Sequence, residues 1–554
     1  MICLERIISK PALLGGLSYN GHMKMMCRLL GLCSTLFLVA PVIAQERLGT
    51  VNFPVSCPPS VAPAFNRGVA LLHDFWYEEA QRQFEQIAKS DPQCAMAHWG
   101  AAMSVFHEIW DRPDESALAF GRKQMHMAAS HPAKTVREAG YINALKDFFD
   151  SAGRDYSGSI TAYAAAMQKL YAANPQDIDA GAFYALSVLA AESPTDTSLT
   201  AEHRAMAVLV PLFKQYPDHP GVVHYVIHAC DTPSLAADGL AAARHYGEIA
   251  ATAPHAVHMP GHIFARLGLW QEDIDANELS VKASHAAEQR RQSGSMDQFH
   301  SDDFLLYAYL QTANDERARA VLRDSAAALD HFGSMPDMTD HFMVGMLPYY
   351  RTKFPVFYAL EMRDWTAAAR IAPIDAAPPE TQTLTYWARS IAAGHLRQPQ
   401  QARADLADYD LLMDRLKKGR HAYYAESTGG RIQREEMQAW IAFAESEANT
   451  ALTHMRAAAD LQDKVGQGEV DIPAREMLAD MLLELNRPRE ALDEYKESLK
   501  LSPNRFNGLF NAGRAAEAAG DLPGAKRYYA ALLAMTADGA QSSRPELTHA
   551  KSLQ

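Results

Sequence analysis

Residues recur along this chain at an interval of 34. Ala479 is followed by Gly513, Asn486 by Gly520 and Ala491 by Ala525. Gly68 stands in the same relation to Ala102, and His224 and His228 to His258 and His262. An interval of this length fits a pair of antiparallel helices stacked on the next pair. Small residues let the two helices of one pair approach closely. Large ones fill the space between pairs, so the core becomes continuous only when pairs stack. Elsewhere Tyr163, Met167, Leu170 and Tyr171 keep helical apolar spacing, and Asn174-Pro175, Pro217, Pro220, Pro254 and Gly268 fall where pairs should end. Few runs of alternating β-branched residues appear. The expected fold is therefore all-α, a right-handed α-solenoid. A solenoid escapes the usual division of 554 residues into several globular domains, because each repeat contacts only its neighbours.

The N-terminus reads as an export signal. Lys24 and Arg28 precede a short apolar run from Leu29 to Ala40, and Val42-Ile43-Ala44 has the small-residue character of a cleavage site. Residues 1–44 are thus expected to be an upstream extension plus a signal peptide, with Met23 and Met25 as plausible starts. The mature chain would be periplasmic or secreted, with no membrane span once the signal is removed. Residues 45–58 should be extended. An N-terminal solenoid is placed at 59–335 and a C-terminal one at 341–537, divided by looser stretches near Gly333–Asp340 and Pro373–Pro379. Residues 538–554 are expected to be a disordered tail. Export permits a disulfide, and Cys57 and Cys94 could staple the extended segment to the second repeat; buried free thiols are the alternative. A net charge of −14, with no basic run carrying aromatics, argues against nucleic acid as a partner.

The stretch from His224 to His262 holds His224, His228, His245, His255, His258 and His262, where an even spread of 22 histidines over 554 residues would place about 1.5. The first helices of neighbouring pairs lie side by side on the inner face of such a solenoid, roughly 8–10 Å apart. His224, His228 and Asp231 are spaced i, i+4, i+7; His255, His258 and His262 are spaced i, i+3, i+7; each set shares one helical face. His300, Asp303 and Tyr307 repeat the second pattern 45 residues later. Three adjacent helices could present His/His/Asp, His/His/His and His/Asp/Tyr to one or two ions.

Neutral imidazoles with carboxylates suit a divalent transition metal, Zn, Cu or Fe, and there are too few carboxylates for a Ca or Mg cage. The candidate ligands are His224, His228, Asp231, His255, His258, His262, His300 and Asp303. If the site is catalytic, Asp231 or Asp303 would serve as base, and Tyr307 or Arg266 would steady an oxyanion. Pro260 lies among the ligands and its ring would clash with the carbonyl of Ala256, so the helix must kink or restart there. Gly261 then allows close backbone approach. His98, His107 and Glu108 on an earlier helix read as surface or core residues; Tyr349, Tyr350 and Arg351 are candidates for closing the pocket from the C-terminal half. A lone buried histidine is usually just a hydrogen-bonded core residue, so the competing reading is a structural polar network, or a groove that holds a partner's peptide without metal. The motifs of phosphate loops, dinucleotide folds and nucleophile elbows are absent.

Gly68, Phe75, Ala80, Phe84 and Pro92, with the C-terminal pairs, make the chain similar to the tetratricopeptide repeat (TPR) superfamily. The blocks GVALLHDFWYEEAQRQFEQIAKSDPQCAMAHWG and HYVIHACDTPSLAADGLAAARHYGEIAATAPHAVHMPGHIFARLGLW, followed by HSDDFLLYAYLQ, resemble a group of bacterial exported TPR proteins without an assigned activity. The resemblance implies the fold and a histidine-rich signature, but no reaction. Because the superfamily is associated with protein binding in its concave groove, it also implies an unidentified protein or peptide partner as the alternative to metal binding.

Overall fold

The computed structural model describes residues 46–554 except 110–111, 132–133, 151–152, 194–195, 334–340, 376, 419–423, 426, 467–469 and 538–541, and omits the side chains of 296 and 341–345. The expected extension and signal at 1–44, and most of the looser stretch at 333–340, lie outside these residues. Glu46–Gln554 form one compact unit. The described residues contain no strand, and none of their helices is long and apolar enough to cross a membrane.

Helices follow one another in antiparallel pairs, each packed on the next. The first pair is Ala62–His73 with Tyr77–Ser90, and the last is Phe506–Ala518 with Leu522–Met535. The 34-residue register has two physical causes. One is close packing: a Cβ on Gly68 would lie 2.7 Å from the Phe84 ring, and one on Gly513 would lie 2.3 Å from the Tyr529 ring. The other is the turn between the helices of a pair. Asn486 (φ 58°) and Gly520 (φ 83°) are both left-handed, and the next residue returns a backbone bond to the carbonyl five positions back, Arg487 to Leu482 and Asp521 to Ala516. Phe75, Gly268, Ala313, Arg363, Arg397 and Ser446 repeat this cap.

The solenoid curls tightly enough to touch itself. The first helix packs on Pro220–Cys230, four pairs later. Residues 46–55 run without helix along the same seam, where Gly49 N–H donates to the Ile249 carbonyl (2.9 Å) and Thr50 N–H to that of Asp218 (2.8 Å). Phe53 lies buried against Phe65, Trp99 and Tyr141. Cys57 and Cys94 form a disulfide that ties this segment to the second pair.

The C-terminal coil folds back in the same way. Phe506 N–H donates to Gln311 Oε1 (2.9 Å), and Trp270 Nε1–H donates to the Asn504 carbonyl (2.6 Å). Residues 538–554 were expected to be disordered. Instead Pro545–Ser552 form a helix that buries Leu547 and Ala550, and Arg544 pairs with Asp315 at 2.6 Å. A polar composition concealed two apolar contacts and one counter-charge. Large side chains are buried within both coils, Tyr225, Phe183 and Trp99 in the first and Trp387, Trp440 and Arg505 in the second.

Candidate metal centre

Three consecutive inner helices position the histidines. In Pro220–Cys230, Pro220 occupies the first turn and His219 accepts from Val222 N–H, fixing where the helix starts. His224 and His228 then share the face turned toward the next pair. That next inner helix is divided at Met259 into Pro254–His258 and Pro260–Arg266. Pro260 has no N–H to give Ala256, and His262 N–H bonds three residues back, to Met259 (3.2 Å). The break expected from Pro260 is present and sets the turn between His258 and His262. The third helix is Gln298–Gln311.

The histidines form two adjoining triads. Ring nitrogens of His258, His262 and His300 lie within 4.8 Å of one another, as do those of His224, His228 and His255. The rings of His255 and His258, one from each triad, are 6.1 Å apart.

Hydrogen bonds decide the tautomers in the first of these triads. The Asn277 amide donates through Nδ2 to the Asp273 carbonyl (2.9 Å) and to Asp273 Oδ1 (2.7 Å). Its Oδ1 must therefore accept, and it accepts from His258 Nδ1–H at 2.6 Å. His262 Nδ1–H donates to Asp231 Oδ2 at 2.9 Å. Both ring protons are thereby committed to Nδ1, and the two Nε2 atoms face each other at 2.9 Å. Two lone pairs at that distance repel unless a proton or a metal ion is shared between them. Burial, followed by the fields of His300 and His262, pushes the His258 pKa well below its ordinary value, which disfavours the proton. Gly261 makes the arrangement possible, since a Cβ there would lie 2.6 Å from Asn277 Nδ2.

Only part of the expected ligand set arrives. Asp231 is an orienting group rather than a ligand: its oxygens take His262 Nδ1–H and, at 2.9 Å, the Arg266 guanidinium. Burial alone would raise its pKa, but Arg266 and His262 hold it well below the ordinary range. Arg266 is thereby engaged with Asp231. On the third helix His300 joins the triad, its ring 4.3 Å from that of His258. Asp303 instead pairs with buried Lys353, and Tyr307 donates to the Asp471 carbonyl (2.8 Å) and meets Arg505. These two turn away because cations from later helices hold them. Tyr350 stacks on Phe299 and Arg351 pairs with Asp330, away from the triads, while His245 pairs with Asp218 near the surface. His98 bonds Gln124 from the helix Ala95–Met103, whereas His107, expected on the same helix, lies beyond its end at φ 48° and stacks on Tyr77.

A third cluster is absent from any sequence spacing. His73 Nε2 and His219 Nε2 both reach Asp179 Oδ1, at 3.0 and 3.3 Å, and His73 Nδ1 meets the Tyr225 hydroxyl at 2.9 Å. Burial lowers the His73 pKa to about 4, and the bonds from His219 and His73 outweigh burial to hold Asp179 well below the usual carboxylate range. Its polar atoms are engaged with one another, and it bridges the elements that close the first coil. Cys57, Cys94 and Asp91 also lie together, but the two sulfurs are spent in the disulfide.

The sequence matches no protein-family model and no curated protein. Among solved structures it is similar to the P58(IPK) TPR domain, at 14% identity over 68% of this chain and 98% of that one, with a TM-score of 0.21. It is also similar to the Naa15/Naa10 complex bound to HypK-THB, at 12% identity over 89% of this chain and 78% of that one, with a TM-score of 0.22. The TPR-like fold itself is read from the stacked helix pairs and their recurring caps.

Proposed function

We propose that this protein holds a transition-metal ion between His258, His262 and His300. The observation that carries the reading is the pair of Nε2 atoms facing at 2.9 Å with both Nδ1 protons already donated, to Asn277 and Asp231. Ligating histidines are commonly oriented through their other ring nitrogen by a carboxylate or amide in this way. Two donors about 2.0–2.1 Å from a common ion lie roughly 3 Å apart. Three neutral imidazoles suit Zn, Cu or Fe and leave a position open for a further ligand. The Cys57–Cys94 disulfide supports the view that the protein works outside the cytoplasm, as the N-terminal segment suggests.

The test is the metal content of protein purified without a histidine tag. Zinc-reconstituted protein should hold about one equivalent at this triad, and His258→Ala with His262→Ala should remove it. Less than about a tenth of an equivalent in the unsubstituted protein would reject the reading.

The second reading, a scaffold that captures a partner's peptide, is supported by the solenoid architecture. Capture of a periplasmic protein that is independent of metal and of His258 would favour it.

A further inference from the structure

The other triad differs in charge from the one above. His224 is fully buried, and its Nδ1–H donates to the His73 carbonyl at 2.6 Å, which leaves Nε2 as the lone-pair nitrogen. That Nε2, and buried Nε2 of His228, have no hydrogen-bond partner. A buried polar atom without a partner is destabilising, and here two lie together beside His255. The surroundings are aromatic. The Phe75 ring lies 4.3 Å from that of His224 and 5.4 Å from those of His228 and His255, and Tyr246 stacks on His224 at 5.2 Å. Phe75 sits at the left-handed cap of the first helix (φ 55°), where glycine is the easy residue, so the ring is placed here against backbone preference.

Two carboxylates in this region, Asp74 and Asp231, are bonded to other groups. Asp74 accepts from the Tyr246 hydroxyl at 2.8 Å, and its burial pushes the carboxyl pKa well above the usual range, which disfavours the charged form. Asp231 is already matched by Arg266 and His262. The orienting partner of His224 is a backbone carbonyl, whereas that of His262 is a carboxylate. Desolvation cost grows as the square of an ion's charge, so a dication here costs about four times a monocation of the same size. Among monovalent ions, alkali cations need oxygen donors, while copper accepts imidazole.

We infer that His224, His228 and His255 form a second, separate metal site that takes monovalent copper in preference to zinc. It stands on different side chains and different unsatisfied atoms from the His258–His262–His300 reading.

Full-length mature protein without a tag would be loaded anaerobically with Cu(I), with Zn(II), and with both. The expected result is one Cu(I) that a tenfold excess of zinc does not displace, with only nitrogen or oxygen scatterers in its X-ray absorption spectrum. His228→Ala should weaken Cu(I) against a bicinchoninate competitor by on the order of 100-fold and leave zinc binding unchanged. His262→Ala should do the converse. Because His228 is partly exposed, its variant is the safer one for folding; circular dichroism and the melting temperature check this, and His228→Gln provides a second variant. Displacement of copper by zinc, sulfur in the copper shell, or undiminished Cu(I) binding by both folded His228 variants would overturn the inference. Loss of zinc binding alone would sink the first reading and leave this one standing.

Discussion

Asn277 decides which way the His258 ring presents its lone pair. Its amide is held by Asp273, so its oxygen can only accept. Replacing Asn277 with Leu frees the ring to adopt either tautomer, and zinc affinity should fall about 10–100-fold in a chelator competition. Gly261→Ala should weaken binding in the same direction, by pushing Asn277 away. The buried histidines also set the response to acid. Burial lowers the pKa of His73 to about 4 and that of His228 to about 3, against 6.5 in the unfolded chain. Above about pH 6.5 both states are neutral and there is no effect. As pH falls from there toward 4, the unfolded chain binds protons that the fold refuses, so stability declines. At pH 5 each of these two groups costs about 2 kcal/mol. Melting temperatures in chelator should be flat from pH 8 to 7 and fall steeply by pH 5. A flat profile down to pH 5 would contradict the buried, neutral state of these rings.

At the scale of the helix pair, the recurring left-handed cap carries the repeat. Glycine occupies it at 268 and 520, yet Ser446 (φ 66°) and Arg397 (φ 57°) occupy it elsewhere. Ser446 is exposed, so Ser446→Gly should relieve strain and raise stability by about 0.5–1 kcal/mol. Gly513→Ala should do the reverse, by about 1–3 kcal/mol, because its Cβ meets the Tyr529 ring. Both are read from thermal unfolding. Besides the histidine pairs, the 34-residue interval was visible where a small residue marked a close helix contact or a cap, as at Gly68, Gly513 and Gly520. Where tertiary packing forces Phe75 or Arg363 into the same cap, residue identity carries no trace of it.

Across the whole molecule, closure depends on a few buried polar contacts between distant repeats. Arg505 is 1% exposed and joins Glu476 (2.8 Å), Glu361 (2.9 Å) and Tyr307, which come from three other helices. Arg505→Met would leave two carboxylates buried without their cation, and should cost about 3–5 kcal/mol in urea unfolding. An unchanged midpoint would mean that the C-terminal coil is held by apolar packing alone. In the first coil, His73 and Asp179 play the corresponding part, beside the Cys57–Cys94 link.

The sequence by itself determined the all-helical repeat, the break at Pro260 and the gathering of His224, His228, His255, His258, His262 and His300. Each depends on short-range periodicity, which a 3.6-residue turn and a 34-residue repeat convert directly into a shared face. It could not reveal His73, Asn277 or Phe75 as neighbours of those rings. Nor could it show that Asp303 and Tyr307 belong to Lys353 and Arg505, or that Asp231 orients rather than ligates. Those assignments follow from how tightly the solenoid curls, which brings residues 50–234 positions apart into hydrogen-bond range. Curvature is the sum of many small packing angles, and no local pattern records that sum.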